Sequence, residues 1–130
     1  MSLERENIVM NKSYTFALRI IKLYKFLIEE KKEYILSKQI LRSGTAIGAL
    51  VKESEHAQSK PDFINKMNIA LKEANETDYW LNLLKDSNYI DDNSFISIQP
   101  DCVELIRLLA SIVKTSKKNL RNTTLRSIAT

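Results

Sequence analysis

The side chains with catalytic or metal-binding chemistry are few: one histidine and one cysteine in 130 residues. His56 closes a Glu53-Ser54-Glu55-His56 run, a Glu-x-x-His spacing that puts both end groups on one helical face. Glu73 and Glu76 repeat that spacing downstream. In a helical bundle such pairs resemble half of a carboxylate-bridged di-iron site, but the full site needs two histidines, and only His56 exists. No metal and no cofactor are expected. Cys102 lies on an apolar stripe, where a cysteine packs as a small hydrophobe. A nucleophile needs an adjacent base, and His56 sits on a different segment. Neither a GxGxxG nor a GxxxxGK[ST] phosphate loop occurs. The chain is therefore not expected to be an enzyme.

A second polar constellation is more coherent. Arg42 lies one position before Ser43, a core-stripe residue, and Glu73 and Glu76 flank the core-stripe Ala74 and Thr77. A bidentate Arg–carboxylate link would fix the register of two neighbouring helices, with Lys38 and Gln39 extending it. The alternative is a polar pocket for a ligand.

Charge is distributed unevenly. Lys and Arg number 20 against 16 Asp and Glu, for a net +4. Residues 10–28 hold Lys12, Arg19, Lys22 and Lys25 and no acid. Residues 105–130 hold Arg107, Lys114, Lys117, Lys118, Arg121 and Arg126, again with no acid. These two stretches carry +10 and the remainder −6. If the first and last helices are antiparallel neighbours, Lys12 approaches Lys117 and Lys118, and Lys22 approaches Arg107. Such a surface is either a solvated face with a helix-dipole bonus or a site for a polyanion. No base-reading motif accompanies it, so the second reading implies backbone contact with little sequence preference.

The elements that must carry these groups are helices. Two glycines and two prolines exclude the turn-rich sandwiches and the glycine-rich α/β folds. Phe16, Ile20, Leu23 and Leu27 form the first stripe, with Ser13 expected as its N-cap. A short, charged connection, Glu29–Glu33, expected to be solvated, follows. Leu36, Ile40, Ser43, Ile47 and Leu50 form the second stripe. Its middle holds Gly44 and Gly48, each costing roughly 1 kcal/mol against alanine unless a neighbour uses the space. Phe63, Met67, Ala70, Ala74, Thr77, Leu81 and Leu84 form the third, opened by Ser59-Lys60-Pro61-Asp62 and closed by Asp86-Ser87-Asn88. Phe95, Ile98, Cys102, Leu105, Leu109 and Ile112 form the fourth, behind Asp91 and Asp92. Pro100 should kink that helix or start its main part after a short first turn. The pattern predicts an all-α, up-down-up-down antiparallel four-helix bundle. Residues 1–130 make a single domain with its core over about 10–118 and a fraying basic tail at 119–130. The first residues form no export signal and no apolar run reaches the roughly 20 residues of a bilayer span, so a cytoplasmic location is expected.

Ser37-Lys38-Gln39-Ile40-Leu41-Arg42-Ser43-Gly44-Thr45-Ala46-Ile47-Gly48-Ala49 with Glu53 resembles the signature of the bacterial four-helix-bundle family encoded in intervening sequences of 23S rRNA genes. Ser59–Phe63, Ala70–Leu81 and Ser13–Ala17 continue the likeness, while Leu50 and Pro100 depart from the family pattern. The resemblance implies a homopentameric ring. A related branch, the accessory variability determinant of diversity-generating retroelements, binds a reverse transcriptase and nucleic acid through a basic surface. By that resemblance the expected role is a non-enzymatic oligomeric accessory protein. It would bind RNA or DNA through Lys12, Arg19, Lys22, Arg107, Lys114, Lys117, Lys118 and Arg121. The alternative is a ring-shaped scaffold for a protein partner such as a reverse transcriptase. The cluster of Gln39, Arg42, Glu73 and Glu76 is assigned a structural role between helices.

Overall fold

A computed structural model describes residues 2–129. Its four helices are α1 (Ser2–Glu29), α2 (Leu36–Ser54), α3 (Lys60–Asp86) and α4 (Asp92–Ala129), and no strand occurs among the described residues. Each helix packs on the next, and α4 returns to α1, closing a bundle. The predicted stripes form the core. Phe16, Ile20 and Leu27 meet Ile40, Ile47 and Val51 of α2, then Met67, Ala70, Ala74, Leu81 and Leu84 of α3, and Cys102, Leu105 and Leu109 of α4.

Local chemistry explains most boundaries. Ser59 caps α3: its hydroxyl accepts the Asp62 N–H at 3.1 Å, while the Asp62 carboxylate accepts the Gln58 N–H at 3.2 Å. One donor left open at the helix start is thus satisfied, and the Asp62 side chain reaches back to fix the residue before the cap, with Pro61 in the first turn. Asp91 accepts the Ser94 N–H at 2.7 Å and opens α4. That bond, together with the Ser94 side chain, holds the Asp91 carboxyl below its usual range. Asn88 adopts a left-handed φ of 66° in the turn after α3, a conformation asparagine tolerates.

Four expectations are corrected. Ser13 is not an N-cap. It lies buried in the middle of α1, and its hydroxyl donates to the Met10 carbonyl at 3.1 Å. Its short side chain is needed there because α2 approaches closely. The Glu29–Glu33 connection is not wholly solvated. Glu33 is buried, and its carboxylate accepts the N–H groups of Ile35 at 3.2 Å and Ser37 at 2.7 Å. It supplies the acceptors that Ile35, at the N-cap position, lacks. Of the two readings of Pro100, the one that starts the main helix after a short first turn is overturned, since α4 runs through Pro100 unbroken from Asp92. The tail is helical through Ala129, and the Thr123 and Thr124 hydroxyls donate to carbonyls four residues back, at 2.9 and 3.1 Å.

The two glycines serve close approach by a helix of the same chain. A Cβ on Gly44 would stand 2.7 Å from Ile20 Cγ1, and one on Gly48 would stand 3.3 Å from the Ser13 carbonyl oxygen. Both sit under α1.

Candidate functional site

Two seams of the bundle carry polar groups. The first joins α2 to α3. Arg42 donates to both carboxylate oxygens of Glu73, at 3.2 and 3.1 Å, and to Glu76 at 2.5 Å. The indole N–H of Trp80 completes it by donating to the same Glu76 oxygen at 3.1 Å. That N–H is the main reason the Glu76 carboxyl is held below its usual range, with Arg42 adding to it. The two carboxylates in turn raise the Arg42 guanidinium above its ordinary value. Beneath the cluster, the Thr77 and Ser43 hydroxyls meet at 2.9 Å in the core. Farther along, Lys66 pairs with Glu53 at 3.3 Å. The structure thus unites Arg42, Glu73 and Glu76. Gln39 stands apart: it is exposed, and its backbone N–H donates to the Ile35 carbonyl at 3.4 Å. Trp80 was not among the predicted site residues; its place four residues after Glu76 is the signal that points to it.

The second seam joins α1 to α4, and here the sequence-derived register is wrong. Arg5 donates to Ser111, Lys12 pairs with Glu104 at 3.2 Å, and Arg19 reaches Asp101 at 2.6 Å. Arg19 also donates to the Ser97 carbonyl at 2.9 Å and hydroxyl at 2.7 Å. Lys12 therefore faces Glu104 rather than Lys117 and Lys118. Lys22 borders a surface cleft with Ser94, Ser97 and Ile98 rather than Arg107. The expectation set the start of α1 against the end of α4, whereas the Arg5–Ser111 and Lys12–Glu104 contacts put Ser2 beside about residue 114 and α4 runs on past it to Ala129. Relative to that expectation α1 is slid by about three turns along α4.

That slide divides the eight predicted cations. Lys12 and Arg19 belong to ion pairs. Lys22 is exposed beside its cleft. Arg107, Lys114, Lys117, Lys118 and Arg121 are exposed on α4, and none forms an ion pair among the described residues. The far end of α4 passes its neighbours. Gln99 donates to Asp78 at 3.1 Å and the Cys102 thiol to the Ala74 carbonyl at 3.3 Å. Continuing that antiparallel register brings Lys60, the first residue of α3, beside about residues 116 and 117 of α4. Every residue from Arg121 to Ala129 is exposed.

The chemistry-bearing residues lie elsewhere. Cys102 is fully buried, and burial, followed by the charges of Asp78 and Asp101, pushes its thiol up to about 12. It is an unreactive core group. His56 is exposed in the turn after α2. No group of three or more metal-ligating side chains converges among the described residues. No described helix is long and apolar enough to cross a membrane.

A further surface lies on the outer side of α1 and α2. Tyr14, Leu18 and Ile21 follow a helical spacing and are exposed. Beside them is a groove of about 700 Å³, with Gly48 and Ala49 in its lining.

The chain was compared with known families and structures. The family model for 23S rRNA-intervening sequence proteins matches residues 5–111. A crystal structure from Bacteroides thetaiotaomicron, of an S23 ribosomal protein family member of unknown function, is similar in fold and sequence. It superposes with a TM-score of 0.83 at 58% identity, covering 85% of this chain and 98% of the other. No curated protein matches the chain.

Proposed function

The chain belongs to the 23S rRNA-intervening sequence protein family, and from that membership and the charge of α4 we propose that it is a non-enzymatic accessory protein that binds nucleic acid. The supporting observation is the row Arg107, Lys114, Lys117, Lys118 and Arg121: exposed, free of ion pairs among the described residues, and followed by no acid after Glu104. Phosphate neutralisation by such a row releases counterions, so affinity falls steeply with salt. Lys12 and Arg19 have a lesser part in this reading, because Glu104 and Asp101 already neutralise them. The test is a salt titration of RNA binding. A steep inverse dependence is expected; no binding at low salt, or a flat titration, would refute the proposal.

The exposed Tyr14–Leu18–Ile21 stripe and its groove favour a second component, self-association. The family resemblance makes that a homopentameric ring, which would multiply the basic rows and their avidity. Light scattering tests it, and a clean monomer near 15.0 kDa would exclude the ring.

A further inference from the structure

The α4 row says more about the nucleic acid than its charge. At 3.6 residues per turn, Arg107, Lys114, Lys117, Lys118 and Arg121 fall within an arc of about 100°. They form one straight stripe about 21 Å long on a continuous helix. The family model ends at residue 111, before four of the five. α4 carries no aromatic residue after Phe95, and the aromatic beside its far end, Phe63 of α3, is half-buried in a pocket with Ile112, Ser116 and Asn119 rather than presented on the stripe. The exposed tyrosines, Tyr14, Tyr34 and Tyr79, belong to α1, the turn before α2, and α3.

These features discriminate between nucleic-acid forms. Single strands are held chiefly by aromatic platforms on which successive bases stack. A rigid rod of cations without aromatics has only phosphate to grip. A duplex carries about one phosphate charge per 1.7 Å of axis, so the length a 21 Å stripe spans holds about twelve, twice the charge density of either strand in it. We infer that the α4 stripe is a phosphate-backbone site for double-stranded nucleic acid, indifferent to base sequence. This rests on the nucleic-acid reading above and narrows it.

The test measures fluorescence anisotropy of the full chain with a 20-base-pair RNA duplex, the matching DNA duplex, a duplex of shuffled sequence, and each single strand, at several salt concentrations. Both duplexes are expected to bind at least tenfold more tightly than either strand at equal salt, with the shuffled duplex equal to the first. The RNA–DNA ratio then identifies which duplex supplies the backbone. Lys114→Ala/Lys118→Ala/Arg121→Ala should weaken duplex binding and lower the log–log salt slope by about three, one per phosphate contact removed. Circular dichroism checks that the variant keeps its helices. Single strands binding as well as duplexes would overturn the duplex inference and leave the nucleic-acid reading standing. Undiminished binding by the triple variant would overturn the assignment to α4. Failure of every probe to bind at low salt would overturn both.

Discussion

The α2 side of the bundle and the α1/α4 seam are built on different principles. Around α2, small residues let backbones approach: Gly44 lies under Ile20, Gly48 under Ser13, and the Ser43 and Thr77 hydroxyls meet without solvent. The ion pairs there lie over an already closed core. Between α1 and α4 the packing is looser, and long side chains, Arg5, Lys12 and Arg19, bridge clefts open to water. Close packing forgives little, because a displaced methyl has nowhere to go. Solvated ion pairs forgive much, since water replaces a lost partner. The first region should therefore govern stability, and the second should be free to exchange its carboxylates for other anions.

The sharpest way to break the contrast is Gly44→Ala. The new Cβ would meet the fully buried, β-branched Ile20, which cannot swing aside. A loss of about 2 kcal/mol is expected in chemical denaturation, despite the roughly 1 kcal/mol that alanine gains in helix propensity. Stability equal to or above the parent would show that α1 and α2 are not tightly engaged. Thr77→Val comes next. It leaves the buried Ser43 hydroxyl without its partner, for a loss of about 1 kcal/mol in the same measurement.

Arg42→Met should cost less than about 1 kcal/mol, because half of the Arg42 side chain faces water. Unchanged thermal stability together with unchanged oligomer size would refute a register-fixing role. Acid gives a second readout of the same cluster. The folded Glu76 pKa is depressed, so its stabilisation is present above the ordinary glutamate value of about 4.3 and is lost as pH falls through its lower folded value. Glu76→Gln should therefore flatten the loss of stability below about pH 4. The smallest effect belongs to the other seam. Asp101→Asn should shift stability by no more than about 0.5 kcal/mol. It should also raise the salt slope of nucleic-acid binding by up to about one unit, by freeing Arg19. A large loss of stability there would erase the distinction between the two regions.

Much of this was legible in the residues. The third stripe, Phe63 to Leu84, is a 4,3 repeat, and its members line α3 against the core. Ser59 caps α3 where its side chain predicted it, and Asp91, placed by the sequence as an acid at a helix start, caps α4. The Arg42–Glu73–Glu76 cluster was also readable, because a short turn joins α2 to α3 and each residue sits next to a core position. Trp80 escaped because its apolar body conceals a donor that matters only when Glu76 is within reach. Glu33 escaped because a charged run looks solvated until an uncapped helix start is placed beside it.

Four helices, their buried faces and the small side of α2 can be read from the residues alone. These follow from periodicity and local sterics, which act within a few residues. How far α1 slides along α4, and with it which cations are neutralised, is settled by packing across the bundle. That register is set between residues about 80 to 110 positions apart, and it sums the start of α1, every helix length and every turn between them. An error of three turns at one end left every stripe intact and moved Lys12 from a basic neighbourhood to Glu104. Periodicity constrains rotation about a helix axis, not translation along it, and the charge pattern of this surface depends on both.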